Sequence, residues 1–344
     1  MIGGFHMNAE TTFAAGRTDS VFVFLKKYVT LLVLMGLLLL FAVIAPNFAT
    51  PNNFIILLRQ VSFTAISAVG IAFVMISGGM DLSIGAQISL TNVLAAILMA
   101  RMGVPPLAAI VFALALGVLL GTINGYTSIL LKVHPLIVTL GTMTIYKGIA
   151  FIAANGNSIS GLPESFKWLG QGYIGPIPVP VAAMILVVLA GAFILNKTYY
   201  GRYVFALGGN EEAARLAGVN NNRMKIYVFA ICGFFSAITS LLLLSRVFSG
   251  QVTTGQGMEF DCMTAAVLGG ISFKGGEGTI TGLLTGVLII GVLNNALQLL
   301  SLGDYYQMVV KGVVLLAAVG FDTYQKNRKT SKSRKSTAKG AVAA

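Results

Sequence analysis

The feature that most constrains this chain is a succession of apolar runs with at most one charged residue each, most of them near the about 20 residues that a helix needs to cross a bilayer. Ten runs are expected as spans: residues 28 to 45, 54 to 77, 82 to 100, 105 to 131, 136 to 154, 178 to 195, 226 to 248, 260 to 273, 279 to 300 and 305 to 321. The eighth is short. Its uncharged core, Cys262 to Phe273, needs preceding residues to complete a crossing, and a broken or partly irregular helix fits there. With 56% hydrophobic and 10% charged residues, the chain departs from the about 25% charged expected of a soluble domain. Forty glycines suit close helix packing in lipid. The fold class expected is an all-α integral membrane protein. A tail over 1–25 leads into a transmembrane domain over 26–322, with a polar loop at 196–225, and a basic tail follows over 323–344.

Ten spans place both ends on one side, and the positive-inside rule chooses the side. With the N-terminus inside, 17 of the 23 Lys and Arg fall on inner segments, including Lys326, Arg328, Lys329, Lys332, Arg334, Lys335 and Lys339 of the tail. The outer loops hold only Arg101 and Lys167. Both termini are therefore expected in the cytoplasm. The net charge of +12 does not point to nucleic acid, because the basic residues flank apolar spans and are not interleaved with aromatics. Such a tail is a solvated end that can touch anionic lipid. Met1 to Ser20 is polar and lacks the charged-then-apolar order of a secretory leader.

The second half echoes the first. Lys147-Gly148-Ile149-Ala150 in span five answers Lys311-Gly312-Val313-Val314 in span ten, and Leu120-Gly121-Thr122-Ile123-Asn124-Gly125 answers Ile290-Gly291-Val292-Leu293-Asn294-Asn295. Five spans per repeat is an odd number, so the halves insert with opposite orientation, as two inverted five-helix repeats.

Chemistry-bearing residues are few. Asp81, in Ser77-Gly78-Gly79-Met80-Asp81-Leu82-Ser83-Ile84-Gly85, is read either as a carboxylate in a polar cavity or as a helix N-cap. Ser83, Asn124, Asn294 and Asn295 join it as candidate pathway residues. Glu259 and Asp261 are candidate contacts for a partner on the outer side, and Lys147 and Lys311 are expected to snorkel or to pair with carboxylates. Gly117, Gly121 and Gly125, and Gly282 with Gly286, are small-xxx-small steps that pack helix against helix. Cys232 and Cys262 read as buried thiols. No phosphate loop is present, since Lys274-Gly275-Gly276-Glu277-Gly278 lacks the Gly-Lys-Ser/Thr ending. His6 and His134 stand apart from the cysteines and carboxylates, so no metal or catalytic site is expected.

The inner loop carries the clearest local signal. Asn210 can cap a short helix, Glu211 and Glu212 suit its positive end, Arg215 its negative end, and Gly218 can stop it. Ala213, Leu216 and Ala217 form one small apolar face. Two turns are unstable alone in water, so the helix, with Ala214 in its middle, needs something to pack on: a cytoplasmic partner or the membrane interface.

Several segments together resemble the permease subunits of bacterial monosaccharide, ribose-type, ATP-binding-cassette importers. They are Pro46-Asn47-Phe48, Gly79-Met80-Asp81-Leu82-Ser83-Ile84-Gly85, Gly201-Arg202-Tyr203, Leu207 through Gly218, Val267-Leu268-Gly269-Gly270 with Gly275-Gly276, Leu293-Asn294-Asn295, and Tyr305-Tyr306-Gln307. The resemblance spans about 46 to 322, and Lys147 stands where many relatives have arginine. It implies a homodimeric permease in the inner membrane, a periplasmic sugar-binding protein above it and an ATP-binding subunit below. ATP and Mg would bind that partner, with no cofactor on this chain, and the loop from Asn210 to Gly218 would be the coupling helix. Two rival readings are an ion-coupled secondary transporter of a small polar solute and a permease for a non-sugar solute.

Overall fold

The computed structural model describes residues 30–303, 305–320 and 323. The N-terminal tail and the basic C-terminal tail expected from the sequence lie outside the described residues, but for position 323.

The described chain is built from helices: α1 (Thr30–Ile44), α2 (Pro51–Ile76), α3 (Ile84–Ala100), α4 (Pro106–Leu131), α5 (Pro135–Ala154), α6 (Trp168–Gln171), α7 (Val179–Lys197), α8 (Tyr199–Gly209), α9 (Glu211–Leu216), α10 (Asn221–Val247), α11 (Met258–Leu268), α12 (Ile280–Leu299) and α13 (Tyr305–Gly320). Six of them, α2, α4, α5, α7, α10 and α12, are long and apolar enough to cross a membrane, and α1, α3 and α13 are shorter apolar helices. Proline opens α2, α4 and α5, where the missing N–H costs nothing because the first turn has no partner for it. A 3₁₀ turn over Glu164–Lys167 and a two-stranded hairpin, β1 (Tyr173–Ile174) with β2 (Ile177–Pro178), occupy the loop between α5 and α7.

Burial sorts the helices into a centre and a rim. Two thirds of the spanning windows of α2 and α12 and 61% of that of α10 are buried, against a third or less for α4, α5 and α7. The rim helices turn leucine, isoleucine and phenylalanine outward, a surface that only lipid or another apolar face solvates well. At the centre, α2 packs on α10, α11 and α12, while α10 packs on α2, α3 and α4. Ser67 donates to Thr239 across the α2–α10 contact at 2.8 Å.

The glycine steps do what their spacing predicts. A Cβ on Gly117 or Gly121 would collide with the carbonyls of Gly233 and Phe229 on α10, and one on Gly282 or Gly286 with those of Gly269 and Ala265. Without side chains at these positions the helix backbones touch, which maximises dispersion contact where water supplies no driving force.

The eighth expected span, 260 to 273, is not one helix. Its helical part is α11, 11 residues long, and the chain before it is non-helical from Ser249 to Gly257. That segment runs back along α3, with Gly250 against Ala96 and Gly255 against Ile88 and the carbonyl of Gly85. The stretch leading into α11 is a run of turns, in which the Thr254, Gln256 and Met258 amides donate to the Gln251, Thr253 and Gly255 carbonyls. Inside a bundle such backbone needs internal partners. Asn92 Oδ1 accepts from the Gln251 amide at 2.9 Å, Ser89 donates to the Val252 carbonyl at 2.7 Å, and Gly250 exchanges two bonds with Ile159.

Candidate functional site

α3 is preceded by a similar irregular stretch. After Ile76 the chain turns through Gly78, at φ +86°, and folds back against Val74 and Phe229 before α3 begins. Thr139 of α5 meets this stretch twice, accepting from the Leu82 amide and donating to the Met80 carbonyl. The first turns of α3 and α11 then meet: a Cβ on Gly85 would strike the Glu259 carboxylate and the Gly255 carbonyl. Two helix N-termini thus converge inside the bundle, and each end carries carboxylates, the charge its dipole favours.

Asp81 is fully buried. Its Oδ1 accepts from the Ser83 amide at 2.8 Å and hydroxyl at 2.6 Å, and its Oδ2 from Gln87 Nε2 at 3.1 Å. Asn124 Nδ2 donates to Ser83 Oγ at 2.7 Å, and the Tyr146 hydroxyl donates to Asn124 Oδ1 at 3.2 Å. The structure therefore brings Asp81, Ser83 and Asn124 together in one network that ties α3 to α4 and α5. The carboxylate bridges to the amide two residues on, so it shapes the turn into α3, and Ser83 itself holds the N-cap position.

Asn294 and Asn295 lie elsewhere. Asn295 exchanges two hydrogen bonds with Asn53 of α2, at 2.9 and 3.0 Å. Asn294 Nδ2 donates to Asp261 Oδ2 at 3.2 Å, and Lys311 Nζ reaches the same oxygen at 2.9 Å, so Lys311 does pair with a carboxylate. Glu259 is 3% exposed and Asp261 7%, so in this chain both point into the bundle and neither offers its carboxylate to the outer surface.

The inner loop folds as its residues dictate. Asn210 Oδ1 caps α9 by accepting from the Ala213 amide at 2.9 Å. Gly218, at φ +85°, donates to the Arg215 carbonyl, and Val219 donates to that of Ala214, which closes the helix with a left-handed C-terminal turn. Arg215 Nε meets Glu212 at 3.1 Å, and that carboxylate holds the guanidinium above its ordinary pKa. Lys225 binds Glu211 at 2.6 Å and Asn221 Nδ2 donates to the Glu211 carbonyl at 2.7 Å, pinning α9 to the start of α10. Burial, with Tyr227 6.2 Å away, pushes the Tyr200 phenol of α8 above the usual tyrosine range.

Ala214 is the member of α9 that packs inward, whereas Ala213, Leu216 and Ala217 face out, with Leu216 77% exposed. The apolar face expected from the sequence thus exists and has no cover within this chain among the described residues. Just before α9, the end of α8 meets two loops backbone to backbone. Gly276 N donates to the Ile76 carbonyl at 2.8 Å, and a Cβ on Gly208 would overlap that same carbonyl. Gly275 and Gly276 both have positive φ and lie against Gly78, Gly208 and Gly209. Asn210, the cap of α9, follows directly on Gly208 and Gly209 at this junction, which adjoins the stretch before α3 and the loop after α11.

Sequence reasoning missed Gln87, Tyr146, Ser89 and Asn92. The signal for the last two was the i, i+3 spacing of polar residues within an apolar run, one stripe aimed at a neighbour. It also missed Arg59, a buried α2 guanidinium under the Tyr173 ring at 4.7 Å, because nothing local foretells the hairpin above it.

Residues 53–319 match the family described as branched-chain amino acid transport system / permease component. The chain is 41% identical over 308 residues to the ribose import permease protein RbsC of Haemophilus influenzae, covering 88% of this chain and 94% of that one. It is 41% identical over 288 residues to RbsC of Bacillus subtilis, covering 83% and 89%. It is 39% identical over 334 residues to the L-arabinose transport system permease protein AraH of Escherichia coli, covering 94% and 99%. No solved structure matches it. With the match running from the start of α2 to the end of α13, this chain belongs to the branched-chain amino acid transport system / permease component family.

Proposed function

We propose that this chain is the translocation subunit of an ATP-driven sugar importer that carries ribose or a related pentose or hexose. The observation that carries the reading is α9, a capped helix whose outward apolar face is uncovered among the described residues and whose cap follows directly on Gly208 and Gly209 of the backbone junction at the end of α2. A helix of six residues does not hold together in water by itself. A groove on a cytoplasmic ATP-binding subunit would cover Leu216, and closure of that subunit would push the junction of Gly78, Gly208 and Gly276. ATP and Mg belong to the partner, since this chain has no phosphate loop. The relatives' names, ribose and L-arabinose permeases, support sugar as the solute. The family description supports the second reading, branched-chain amino acids.

The same reading includes ten spans in two inverted repeats. Mirrored packing supports it: α2 lies on α10, α11 and α12 as α10 lies on α2, α3 and α4, pairing α2, α3 and α4 with counterparts about 170 residues on. In this arrangement both termini face the cytoplasm and the chain sits in the inner membrane. A second copy completes the pathway, and a periplasmic sugar-binding protein docks on the loop between α5 and α7. Glu259 and Asp261 then serve below that surface, within the translocating bundle.

Coupling is tested by cross-linking. Cysteine at position 216 should form a disulfide or a short bismaleimide link with cysteines placed in the ATPase groove, in a yield that changes with nucleotide. Absence of any link, with the same cysteine labelled freely in the assembled complex, would refute the docking role of α9.

A further inference from the structure

The charges around α9 are unevenly matched. Glu211 and Glu212 are taken by Lys225 and Arg215, whereas Arg202 of α8 and Arg223 of α10 make no ion pair among the described residues. No acidic residue stands between Val179 and Asn210, so nothing on α7 or α8 answers Arg202. α8 buries Gly201, Val204 and Leu207 and turns out Tyr199, Arg202, Tyr203 and Ala206, an i, i+3, i+4, i+7 stripe. The Arg202 guanidinium lies over the Tyr199 ring at 4.2 Å, held on this outward face by an aromatic ring and no carboxylate. The stripe succeeds the outward stripe of α7, Leu186, Leu189 and Phe193, across the charged helix end at Lys197. On α10, Tyr227 stands 6.2 Å from Tyr200 of α8, and Arg223 lies one turn before Tyr227, both exposed.

We infer that the outward face of α8, with the start of α10, is a docking surface for the headgroups of anionic phospholipids in the inner leaflet; the choice of leaflet rests on the orientation proposed above, with α9 in the cytoplasm. The apolar stripe of α7 is solvated by lipid, and the tyrosine and arginine stripe that continues it has the composition of a membrane–water boundary. A lipid phosphate accepts from the Arg202 guanidinium, and the tyrosine hydroxyls donate to the same phosphate or to glycerol oxygens. The rings meanwhile lie against the first acyl carbons, which a free phosphate does not offer. Continuity with the lipid-facing stripe of α7 therefore selects a lipid over a soluble anion. Asn210 alone joins α8 to α9, so a lipid held on α8 steadies the frame from which the coupling helix projects.

The test follows the melting temperature of the full chain in dodecyl maltoside micelles doped with increasing phosphatidylglycerol or phosphatidylcholine. Phosphatidylglycerol should raise it to a plateau and phosphatidylcholine should not, because a ligand that binds only the folded state stabilises it. Arg202→Gln should raise the mole fraction of phosphatidylglycerol needed for half the shift about fivefold, the contribution of one cation at an anionic surface. Each variant is compared with its own lipid-free melt, so a change in basal stability does not mimic the result. Arg101→Gln, an exposed change at the other end of α3, should leave the half-point unchanged. Equal responses to the two lipids, equal effects of the two substitutions, or a full shift from soluble glycerol phosphate at matched concentration would each refute the surface. Shielding of Arg202→Cys from maleimide by the ATP-binding subunit, with no phosphatidylglycerol response, would give the face to that partner and refute the lipid site. The readout involves neither transport nor sidedness, so its failure leaves the importer reading standing. Labelling of position 216 from the outer side would overturn the inner-leaflet assignment even with the shift intact.

Discussion

Leu216 and Ala214 sit two residues apart on α9 and have opposite duties. Leu216 faces out and Ala214 is buried, so Leu216→Asp should leave the protein inserted and folded but lower ATP-driven uptake at least tenfold. Ala214→Glu should instead unseat α9 from its own chain, visible as protease cleavage between α8 and α10. Equal protease sensitivity of the two variants would contradict this division. The Lys311–Asp261 pair gives a second residue-scale expectation. Lys311→Ala strands a carboxylate that is 7% exposed and should cost about 3–5 kcal/mol, whereas Lys311→Met with Asp261→Asn should cost much less. Thermal unfolding in detergent distinguishes the two, and equal loss in the single and double variants would show that the pair carries no buried charge.

At the scale of elements, α4 packs on α10 through glycine. Gly121→Val would drive a branched side chain into the Phe229 carbonyl, and overpacking of this kind costs about 1–3 kcal/mol or more. A lowered melting temperature checks it, and an unchanged one would mean that the two helices part easily. The crossing helices were legible because uncharged length is a direct physical requirement of a bilayer, and α9 was legible because its caps are local: Asn210, Arg215 and Gly218 each act within a few residues. The eighth span was only half legible. Its break depends on Ser89 and Asn92, more than 150 residues earlier, which accept and donate for backbone that no local pattern marks as irregular. The same distance hid the division of the site. Asn294 and Asn295 are neighbours in sequence but point to different helices, and Asp81 joins Asn124 rather than either of them. The glycine junction at the end of α8 was visible only as glycines, because which backbones touch is a tertiary fact.

For the whole molecule, the inverted arrangement predicts sidedness. A cysteine at Tyr173, in the hairpin before α7, should react with an impermeant maleimide only from the outer face, and one at position 216 only from the inner face. Labelling of both from the same side would break the ten-span topology. The central claim, that this chain is the membrane-crossing part of an ATP-driven sugar importer, is tested most directly by reconstitution. Labelled ribose uptake would be measured in proteoliposomes holding this chain, with the ATP-binding subunit and the sugar-binding protein each added or withheld. The account predicts uptake only with all three components and ATP on the ATPase side. Uptake by this chain alone, driven by an ion gradient, would contradict it and make the protein a secondary transporter.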